Sequence, residues 1–212
     1  MSAPGRFVVI EGIDGSGTTT QTELLAKRLR KEGRAVRETA EPSSGPIGAL
    51  IRQVLTGRIV GAGGLAPGWE TMALLFAADR MDHVETEIVP FLQNGGVVLS
   101  DRYDASSLAY QSVMSGRGGK DAVEWIRALN RYARRPDLTI VLEVAPDVAA
   151  ERREARGEAA QLYEQNELQI ALAAFYKDLS KHLPQDRVAH VDGAQSVETV
   201  AEAVYRAWSA AG

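Results

Sequence analysis

The sequence predicts an α/β fold in which a five-stranded parallel sheet is flanked by helices. Short apolar runs of strand length recur along the 212 residues and alternate with longer segments of helical periodicity. A glycine-rich turn joins the first apolar run to the first helical segment. Strands that alternate with helices form βαβ units, whose parallel sheets are covered on both faces. The chain has no repeat, low-complexity segment or long linker, so residues 1–212 are expected to form one domain.

The first half of the chain is expected to supply three strands. The run Phe7-Val8-Val9-Ile10 contains no polar residue, which is typical of a strand buried on both faces. The remaining predicted elements are a helix at 18–31 ended by Gly33, a weaker strand between Val36 and Pro42, a helix at 47–55, a loop at 57–68, a helical pattern at 69–92 interrupted near Pro90, and a strand at 97–100.

The second half is expected to supply two more strands. The predicted elements are helix 121–134, strand 138–144, helix 146–156, helix 164–181, strand 188–191 and helix 197–211. Pro146 opens one of these helices, in the first turn, where its missing N–H is not needed. The alternation of strand and helix therefore continues to the end of the chain.

Composition excludes several classes of function. The chain has no cysteine, which rules out a disulfide framework, a cysteine-ligated zinc site and a thiol nucleophile. Its 24 basic and 28 acidic residues give a net charge of −4, which does not suit a protein that coats a nucleic-acid polymer. No apolar run is long enough to cross a membrane, and the first residues lack a signal-peptide pattern. We therefore expect a cytoplasmic protein without membrane or nucleic-acid partners, in which any anionic ligand is met by local positive charge.

The glycine-rich turn fits the phosphate-loop motif at every position but one. Residues 12–19 read Gly-Ile-Asp-Gly-Ser-Gly-Thr-Thr, between a predicted strand and a predicted helix. Glycines let successive backbone N–H groups point at phosphate oxygens, and the helix N-terminus adds positive potential. The departure is Thr18, which stands where the motif has lysine. The residues predicted to bind the nucleotide are Gly12, Ile13, Asp14, Gly15, Ser16, Gly17, Thr18, Thr19 and Thr20, with Thr19 also a Mg²⁺ ligand.

Two other interpretations of this turn stay open at the level of the residues. It could be a glycine turn without a ligand, or a nucleotide site that binds but no longer catalyses, since Thr18 cannot neutralise phosphate charge.

Further segments, in the same order and spacing, resemble one family. Residues 12–21 resemble the opening of thymidylate kinases. The other matching segments are 75–80 (Leu-Phe-Ala-Ala-Asp-Arg), 100–103 (Ser-Asp-Arg-Tyr) with Ser106 and 109–111 (Ala-Tyr-Gln), 135–139 (Arg-Pro-Asp-Leu-Thr), and 151–156 with Tyr163-Glu164. The resemblance covers about residues 6–206, which is nearly the whole chain.

The resemblance implies an enzyme that moves the γ-phosphoryl group of ATP to dTMP with Mg²⁺, giving dTDP and ADP. It implies the P-loop nucleoside-monophosphate-kinase fold with a mobile lid, here about residues 152–163, and usually a homodimer. Trp69, Met72 and Leu75 could form an apolar seam for a dimer, but core burial explains them equally well.

The resemblance also assigns an acceptor site. Phe76 would stack on thymine and Arg80, one helical turn later, would donate to its O4, although spacing alone makes Phe76 a core residue. Tyr110, if it is not core, would lie beside the deoxyribose and leave no room for a 2′-hydroxyl. The residues assigned to the acceptor are Phe76, Arg80, Arg102, Tyr110, Gln111, Tyr163, Glu41 and Pro42.

The turn around Glu41-Pro42 departs from the family pattern. Many bacterial members have arginine before this pair and Gly-Gly-Thr after it, whereas here Ala40 precedes it and Ser43-Ser44-Gly45 follows. The phosphate contacts of the turn are therefore in doubt, and Arg52 on the next helix is a possible substitute.

Three further residues are candidates for the chemistry itself. Arg102 follows a predicted strand end, where ligands of open α/β sheets bind, and by resemblance reaches the acceptor phosphate and the transferring group. Asp101 is interpreted as a Mg²⁺ ligand or as a helix cap. Asp14 either holds the sugar hydroxyl of the acceptor or contacts the shell of the metal.

Arginines near the lid are the candidates for the missing charge. Members of this family carry a catalytic arginine in the phosphate loop or in the lid, and Gly15 occupies the phosphate-loop position here. Arg152, Arg153 and Arg156 cluster before the lid, although such a run is often only a solvated face. We expect Arg153 or Arg156 to act in catalysis and, with Arg102, to replace the lysine charge.

Two functional alternatives remain beside the dTMP kinase. One is a kinase for another nucleoside monophosphate or a deoxynucleoside, against which Phe76, Arg80 and Tyr110 argue. The other is a nucleotide-binding regulatory protein with weak or no turnover, suggested by Thr18 and Ala40.

Overall fold

A five-stranded, wholly parallel sheet forms the centre of the molecule, as the sequence predicts. The computed structural model describes residues 5–116, 120–156 and 166–212. The strand order is β2-β3-β1-β4-β5. In chain order the elements are β1 (Arg6–Gly12), α1 (Thr18–Lys31), β2 (Val36–Ala40), α2 (Pro46–Leu55), α3 (Trp69–His83), a π-helical turn (Val84–Ile88), α4 (Val89–Gln93), β3 (Val97–Asp101), α5 (Asp104–Met114), α6 (Lys120–Leu129), β4 (Leu138–Glu143), α7 (Pro146–Arg156), α8 (Asn166–Lys177), α9 (Leu179–His182), β5 (Val188–Asp192) and α10 (Val197–Ala210).

Both faces of the sheet are covered by helices. Val8 and Ile10 of β1 pack with α1 and α10 on one face, and Phe7 and Val9 pack with Ile88 and the segment after β3 on the other. Alternate side chains of a strand point to opposite faces, so a strand buried on both sides must be apolar throughout. The central position of β1 explains why its run contains no polar residue before Glu11.

One helix was not foreseen. Helix α5 follows β3, and eight of its eleven residues are buried. Polar residues such as Ser107, Gln111 and Ser112 are buried along with the apolar ones. The segment therefore has no periodic apolar face, which is the pattern that predicts a helix from sequence.

Two predicted helices end earlier than expected. Helix α6 ends at Leu129 instead of residue 134, because the chain turns at Asn130 and thereby buries Ala133 against the Phe7 cluster. Helix α8 ends at Lys177 instead of 181. A turn at Asp178 then starts the short α9, whose Leu179 is fully buried.

The predicted interruption near Pro90 takes the form of a π-helical turn. Val89 donates its N–H to the carbonyl of Val84, five residues back, and Pro90 then stands in the first turn of α4. The wider turn directly before Pro90 allows the helical path to continue past a residue that lacks an N–H donor. Among the described residues, no helix is long and apolar enough to cross a membrane.

Candidate active site

The phosphate loop joins the end of β1 to the start of α1. Gly15 and Gly17 have positive φ angles of 91° and 96°, which are readily adopted only by glycine. Gly17 caps α1, which begins at Thr18, as predicted, and has no acidic residue in its first turn. The first turn of α1 thus contributes no carboxylate of its own to the positive end of the helix dipole, which faces the loop and suits it to binding phosphate.

The loop also packs tightly against α7. A Cβ atom added to Gly15 would lie 2.4 Å from the carbonyl oxygen of Ala149 and 3.2 Å from Cγ of Arg153. Gly15 is thus required both by its backbone conformation and by its close approach to this helix.

Two predicted magnesium ligands lie together. The hydroxyl of Thr19 donates to Oδ2 of Asp101, which is at the carboxyl end of β3. The other carboxylate oxygen of Asp101 is buried and has no hydrogen-bond partner among the described residues. A hydroxyl and a carboxylate with an unsatisfied oxygen, beside a phosphate loop, form a donor set that Mg²⁺ prefers. These residues therefore fit the ion.

A cavity of about 290 Å³ lies at the carboxyl ends of β1 and β3. Open parallel sheets bind ligands at this edge. Most of the predicted site residues with described side chains line the cavity, namely Asp14, Gly15, Gly17, Thr18, Thr19, Thr20, Glu41, Pro42, Phe76, Arg80, Asp101, Arg102, Tyr110, Gln111 and Arg153. The structure thus brings the phosphate loop and the predicted acceptor residues to one cavity.

Arg80 is fully buried at one wall of this cavity. Its guanidinium donates to Glu41 at 2.5 Å, to Asn130 at 2.6 Å and to Ser107 at 3.1 Å. Burial alone would lower the pKa of Arg80, but the nearby Glu41, Asp104 and Tyr103 together outweigh burial and hold the pKa above its ordinary value. The Nε of Arg80 and the side-chain oxygen of Gln111 are buried without a hydrogen-bond partner among the described residues. The wall therefore offers an unpaired donor and an unpaired acceptor.

Glu41 contacts basic side chains of α3, whereas the family resemblance assigns it to a turn that holds the acceptor phosphate. Its carboxylate pairs with Arg80 and lies 3.3 Å from Nδ1 of His83. The turn itself is tied to α3, since Ser43 donates both its N–H and its hydroxyl to Asp79. Arg52, the suggested substitute for phosphate contacts, donates to the carbonyl oxygens of Pro42 and Ser43 at 2.8 and 2.7 Å. These contacts fix the turn in place without the glycine pair common in the family.

Arg102 connects β3 to the phosphate loop. Its Nη2 lies 2.7 Å from the carboxylate of Asp14, and its Nη1 donates to the carbonyl oxygen of Gly12 at 2.6 Å. Burial disfavours its charge, but the neighbouring Tyr110, Asp14, Tyr176 and Asp101 together outweigh that effect and keep the pKa well above the ordinary value. Among the residues that the structure describes, Arg102 is the only non-glycine residue with a positive φ, which is 69°. A permanent positive charge is therefore held at the loop in an unusual backbone conformation.

The three arginines of α7 have different surroundings. Arg153 is buried, lines the cavity, and donates to the backbone oxygen of Asp14 in the phosphate loop. Arg152 points elsewhere, since it donates to the carbonyl oxygens of Gly193 and Ala194. The side chain of Arg156 and all of Tyr163 lie outside the described residues. Of the two arginines favoured from the sequence, the structure thus describes only the placement of Arg153.

Sequence reasoning missed three buried polar residues around the site. Gln169 of α8 accepts the N–H of Asp14 at 3.2 Å and donates to its carboxylate at 3.1 Å. Asn130 accepts from Arg80, and Glu11 accepts from the segment after Arg102. A single acid at the end of an apolar strand was a signal that could have identified Glu11, whereas Gln169 has no local signal.

The suggested dimer seam is mainly core. Met72 is fully buried between α2 and α3, and Leu75 packs against the same cluster. Trp69 meets Trp125 edge to face at 5.5 Å between ring centres. The apolar side chains that α3 does expose are Leu74 and Met81.

The sheet order, the phosphate loop after the central strand and the cavity at the strand ends define a P-loop kinase fold. The sequence profile of the thymidylate kinase family matches residues 10–204. The chain belongs to the thymidylate kinase family, which confirms the resemblance drawn from its motifs.

Whole-chain relatives agree with the family match. The chain is 42% identical over 199 residues to a probable thymidylate kinase of Pyrococcus abyssi, with 93% of each chain covered. It is 41% identical over 204 residues to a thymidylate kinase of Thermomicrobium roseum, which covers 94% of this chain and 92% of that one. It is 34% identical over 207 residues to a thymidylate kinase of Pelobacter propionicus, with the same coverage. The similarity thus extends well beyond the phosphate loop.

Proposed function

We propose that this protein transfers the γ-phosphoryl group of ATP to dTMP, giving dTDP and ADP, with Mg²⁺. The observation that carries the proposal is that one cavity is bordered by the phosphate loop, by Arg102 and by Phe76 with Arg80. Phosphoryl transfer consists largely of aligning two anions and neutralising the charge that develops between them. A cavity that offers phosphate-binding amides, an arginine and a base-binding wall meets those requirements.

The donor side uses the loop amides and the metal. Backbone N–H groups of residues 12–20 and the N-terminus of α1 hold the phosphates of ATP. Thr19 and Asp101 would hold Mg²⁺, and Asp14 would hold the acceptor sugar or the shell of the metal. When bound, the ion supplies neutralising charge to the phosphates.

The acceptor side selects the base and the sugar. Phe76 stacks on the thymine, while Arg80, oriented by Glu41 and Asn130, presents a donor to O4. Gln111 contributes a buried, unsatisfied acceptor near the base. Tyr110 excludes a 2′-hydroxyl, and Pro42 and Tyr163 complete the acceptor contacts.

Charge normally provided by the phosphate-loop lysine is supplied by arginines. Thr18 is buried at the cavity and carries no charge. Arg102 and Arg153 donate hydrogen bonds to the carbonyl oxygens of Gly12 and Asp14, so both charges lie at the loop that lacks the lysine. Arginine suits this role because it stays protonated and can bind phosphate with two donors. Arg156 is a second catalytic candidate from the lid, about residues 152–163.

The finer assignments are part of the same proposal. We assign the protein to the cytoplasm, because a chain without cysteine fits a reducing compartment. We also propose a homodimer, for which the exposed Leu50, Leu74 and Met81 on α2 and α3 supply apolar surface. Sedimentation of the purified protein tests the dimer.

A coupled ADP-release assay with ATP and Mg²⁺ tests the reaction. The acceptors to compare are dTMP, dUMP, CMP, AMP and thymidine. We expect kcat/KM to be highest for dTMP. Arg102→Met serves as a matched variant that should bind ATP but lose turnover. Calorimetric binding of ATP without turnover on any acceptor would instead favour the regulatory alternative, although the relatives named above are all named as kinases.

A further inference from the structure

Glu11 is a fully buried acid to which the proposed reaction assigns no role. It is the penultimate residue of β1 and directly precedes Gly12, where the phosphate loop begins. Its carboxylate accepts four hydrogen bonds: from the N–H of Tyr103 at 2.8 Å, the N–H of Ser106 at 3.2 Å, the hydroxyl of Ser106 at 2.6 Å and the hydroxyl of Tyr176 at 3.0 Å. Both oxygens of this buried carboxylate are therefore hydrogen-bonded, which fixes its position relative to Tyr103, Ser106 and Tyr176.

The contacts of Glu11 are directed at the backbone next to Arg102. A φ of 69° is unfavourable for a residue with a side chain and persists only where the surroundings determine it. The Arg102 N–H donates to Ile10 at 3.0 Å, and the Arg102 carbonyl accepts the hydroxyl of Ser100 at 2.7 Å. The next N–H, that of Tyr103, donates to Glu11. The unusual conformation is therefore held from both sides.

Glu11 also caps the helix that follows. Tyr103 is the N-cap residue of α5, and no side chain of the cap itself satisfies the free amides. Glu11 accepts the amides of Tyr103 and Ser106 from the neighbouring strand instead. A helix start needs such acceptors, because its first amides have no partner within the helix. The helix fixed in this way carries Ser107, Tyr110 and Gln111 on the cavity wall.

We propose that Glu11 is a positioning residue that holds Arg102 and the start of α5 in the conformation used for phosphoryl transfer. This inference rests on the proposed function. Glu11 touches no substrate and acts through the Tyr103 and Ser106 amides. If these bonds are lost, the backbone at Arg102 can relax from its positive φ, and the guanidinium leaves the phosphate loop.

The positioning of Arg102 and α5 by Glu11 depends on hydrogen bonds more than on the charge of the carboxylate. Burial raises the pKa of Glu11 to about 7, while the facing Arg102 and the donors Ser106 and Tyr176 lower it. Both protonation states are therefore populated near neutral pH. One carboxyl oxygen accepts the two amides, and the other faces the two hydroxyls. A glutamine has the same shape, keeps the oxygen for the amides and can donate to the hydroxyls.

The test compares Glu11→Ala, Glu11→Gln and Val204→Ala. Val204 is a core residue on α10, packed against the opposite face of the sheet, so its variant controls for lost stability. We expect Glu11→Ala to lower kcat at least thirtyfold with the KM for ATP within threefold, and Glu11→Gln to stay within fivefold of the native kcat. We expect Val204→Ala to keep kcat within threefold. A kcat of Glu11→Ala equal to that of Val204→Ala overturns the inference, as does a Glu11→Gln variant as slow as Glu11→Ala.

Amide hydrogen exchange separates this inference from the proposed function. In the native protein, the Tyr103 and Ser106 amides should be protected, and Glu11→Ala should speed their exchange at least tenfold while Val204→Ala does not. This result holds even if dTMP proves not to be the acceptor, and unchanged exchange overturns the inference. Should Glu11→Ala fail to fold, Ser100→Ala releases the Arg102 backbone from its other side. A kcat lowered threefold or more at unchanged KM for ATP supports the inference, and an unchanged kcat overturns it.

Discussion

The guanidinium of Arg153 donates a hydrogen bond to the backbone oxygen of Asp14, which places a buried cation of α7 on the phosphate loop. In the same loop, the position of the motif lysine is occupied by Thr18. A positive charge at the phosphate loop stabilises the transition state of phosphoryl transfer most when it is fixed in advance in a site that excludes water.

Removal of the Arg153 charge should nearly abolish turnover. We expect Arg153→Ala to lower kcat by about 10³-fold or more, the size of effect that a transition-state arginine has in related chemistry. Arg152→Ala is the matched control, because Arg152 bonds to Gly193 and Ala194 instead of the loop, and it should lose less than about tenfold. Steady-state rates with ATP and dTMP measure both, and equal losses in the two variants would contradict the assignment.

A lysine restored to the phosphate loop should raise kcat most in the variant that lacks Arg153. We expect Thr18→Lys to recover at least about tenfold of the rate lost in Arg153→Ala, and to gain much less in the native background. Two groups that supply the same charge are coupled, so their effects are not additive. A double-mutant cycle on kcat measures the coupling. If Thr18→Lys raises kcat by the same large factor in both backgrounds, Arg153 does not replace the charge of the missing lysine.

The ring of Tyr110 should determine the choice of sugar. A comparison of dUMP with UMP isolates the 2′-hydroxyl. Tyr110→Ala should lower the dUMP-to-UMP ratio of kcat/KM at least about tenfold, because the space filled by the buried ring becomes available. Tyr110→Phe keeps the ring and should hold the ratio within about threefold. The idea fails if the ratio of the alanine variant equals the native one.

Loss of Glu41 should destabilise the fold strongly. The Glu41–Arg80 pair has side chains only 2% and 1% exposed, and its removal leaves a buried, uncompensated guanidinium. We expect Glu41→Ala to lower the free energy of unfolding by about 3–5 kcal/mol. Glu38→Ala breaks the exposed pair with Arg30 and should change it by less than about 1 kcal/mol. Urea titration followed by circular dichroism compares them, and similar losses would show that the buried pair has no special weight.

Glu11 should give the unfolding free energy a dependence on pH. Its pKa is raised from 4.5 to about 7 by burial, so between these values the folded protein binds a proton that the unfolded chain does not. This stabilising contribution is fully present below pH 4.5 and is lost as the pH rises through about 7. Glu11→Gln cannot titrate and should lack it. Relative to that variant, native stability should fall by on the order of 2 kcal/mol between pH 5 and 8, from the conversion of pKa shift to energy. Parallel curves would place the pKa of Glu11 near its ordinary value.

Local patterns were sufficient for much of the fold and for the phosphate loop. The start of α1 at Thr18 follows from the glycines before it, and the strands follow from apolar runs that only a covered parallel sheet can bury. The acceptor residues Phe76, Arg80 and Tyr110 are identified only through family resemblance, because spacing alone makes Phe76 a core residue and core packing is the alternative for Tyr110. The structure brings all three to the cavity.

Polar contacts between residues far apart in the sequence could not be predicted from local patterns. Glu11 meets Tyr103 across 92 positions and Tyr176 across 165, and Gln169 meets Asp14 across 155. No period or local motif encodes such pairs. Helix α5 escaped prediction for a related reason, since it is buried on nearly all sides and thus shows no alternation of polar and apolar residues.

The close fit of Gly15 beneath α7 also restricts how this chain can evolve. A side chain at residue 15 would collide with the carbonyl oxygen of Ala149 and crowd Arg153. An arginine in the loop and an arginine delivered by α7 therefore compete for the same volume. Because the colliding atom belongs to the backbone of α7, a side chain at residue 15 requires a shift of the phosphate loop or of α7 in addition to the substitution itself.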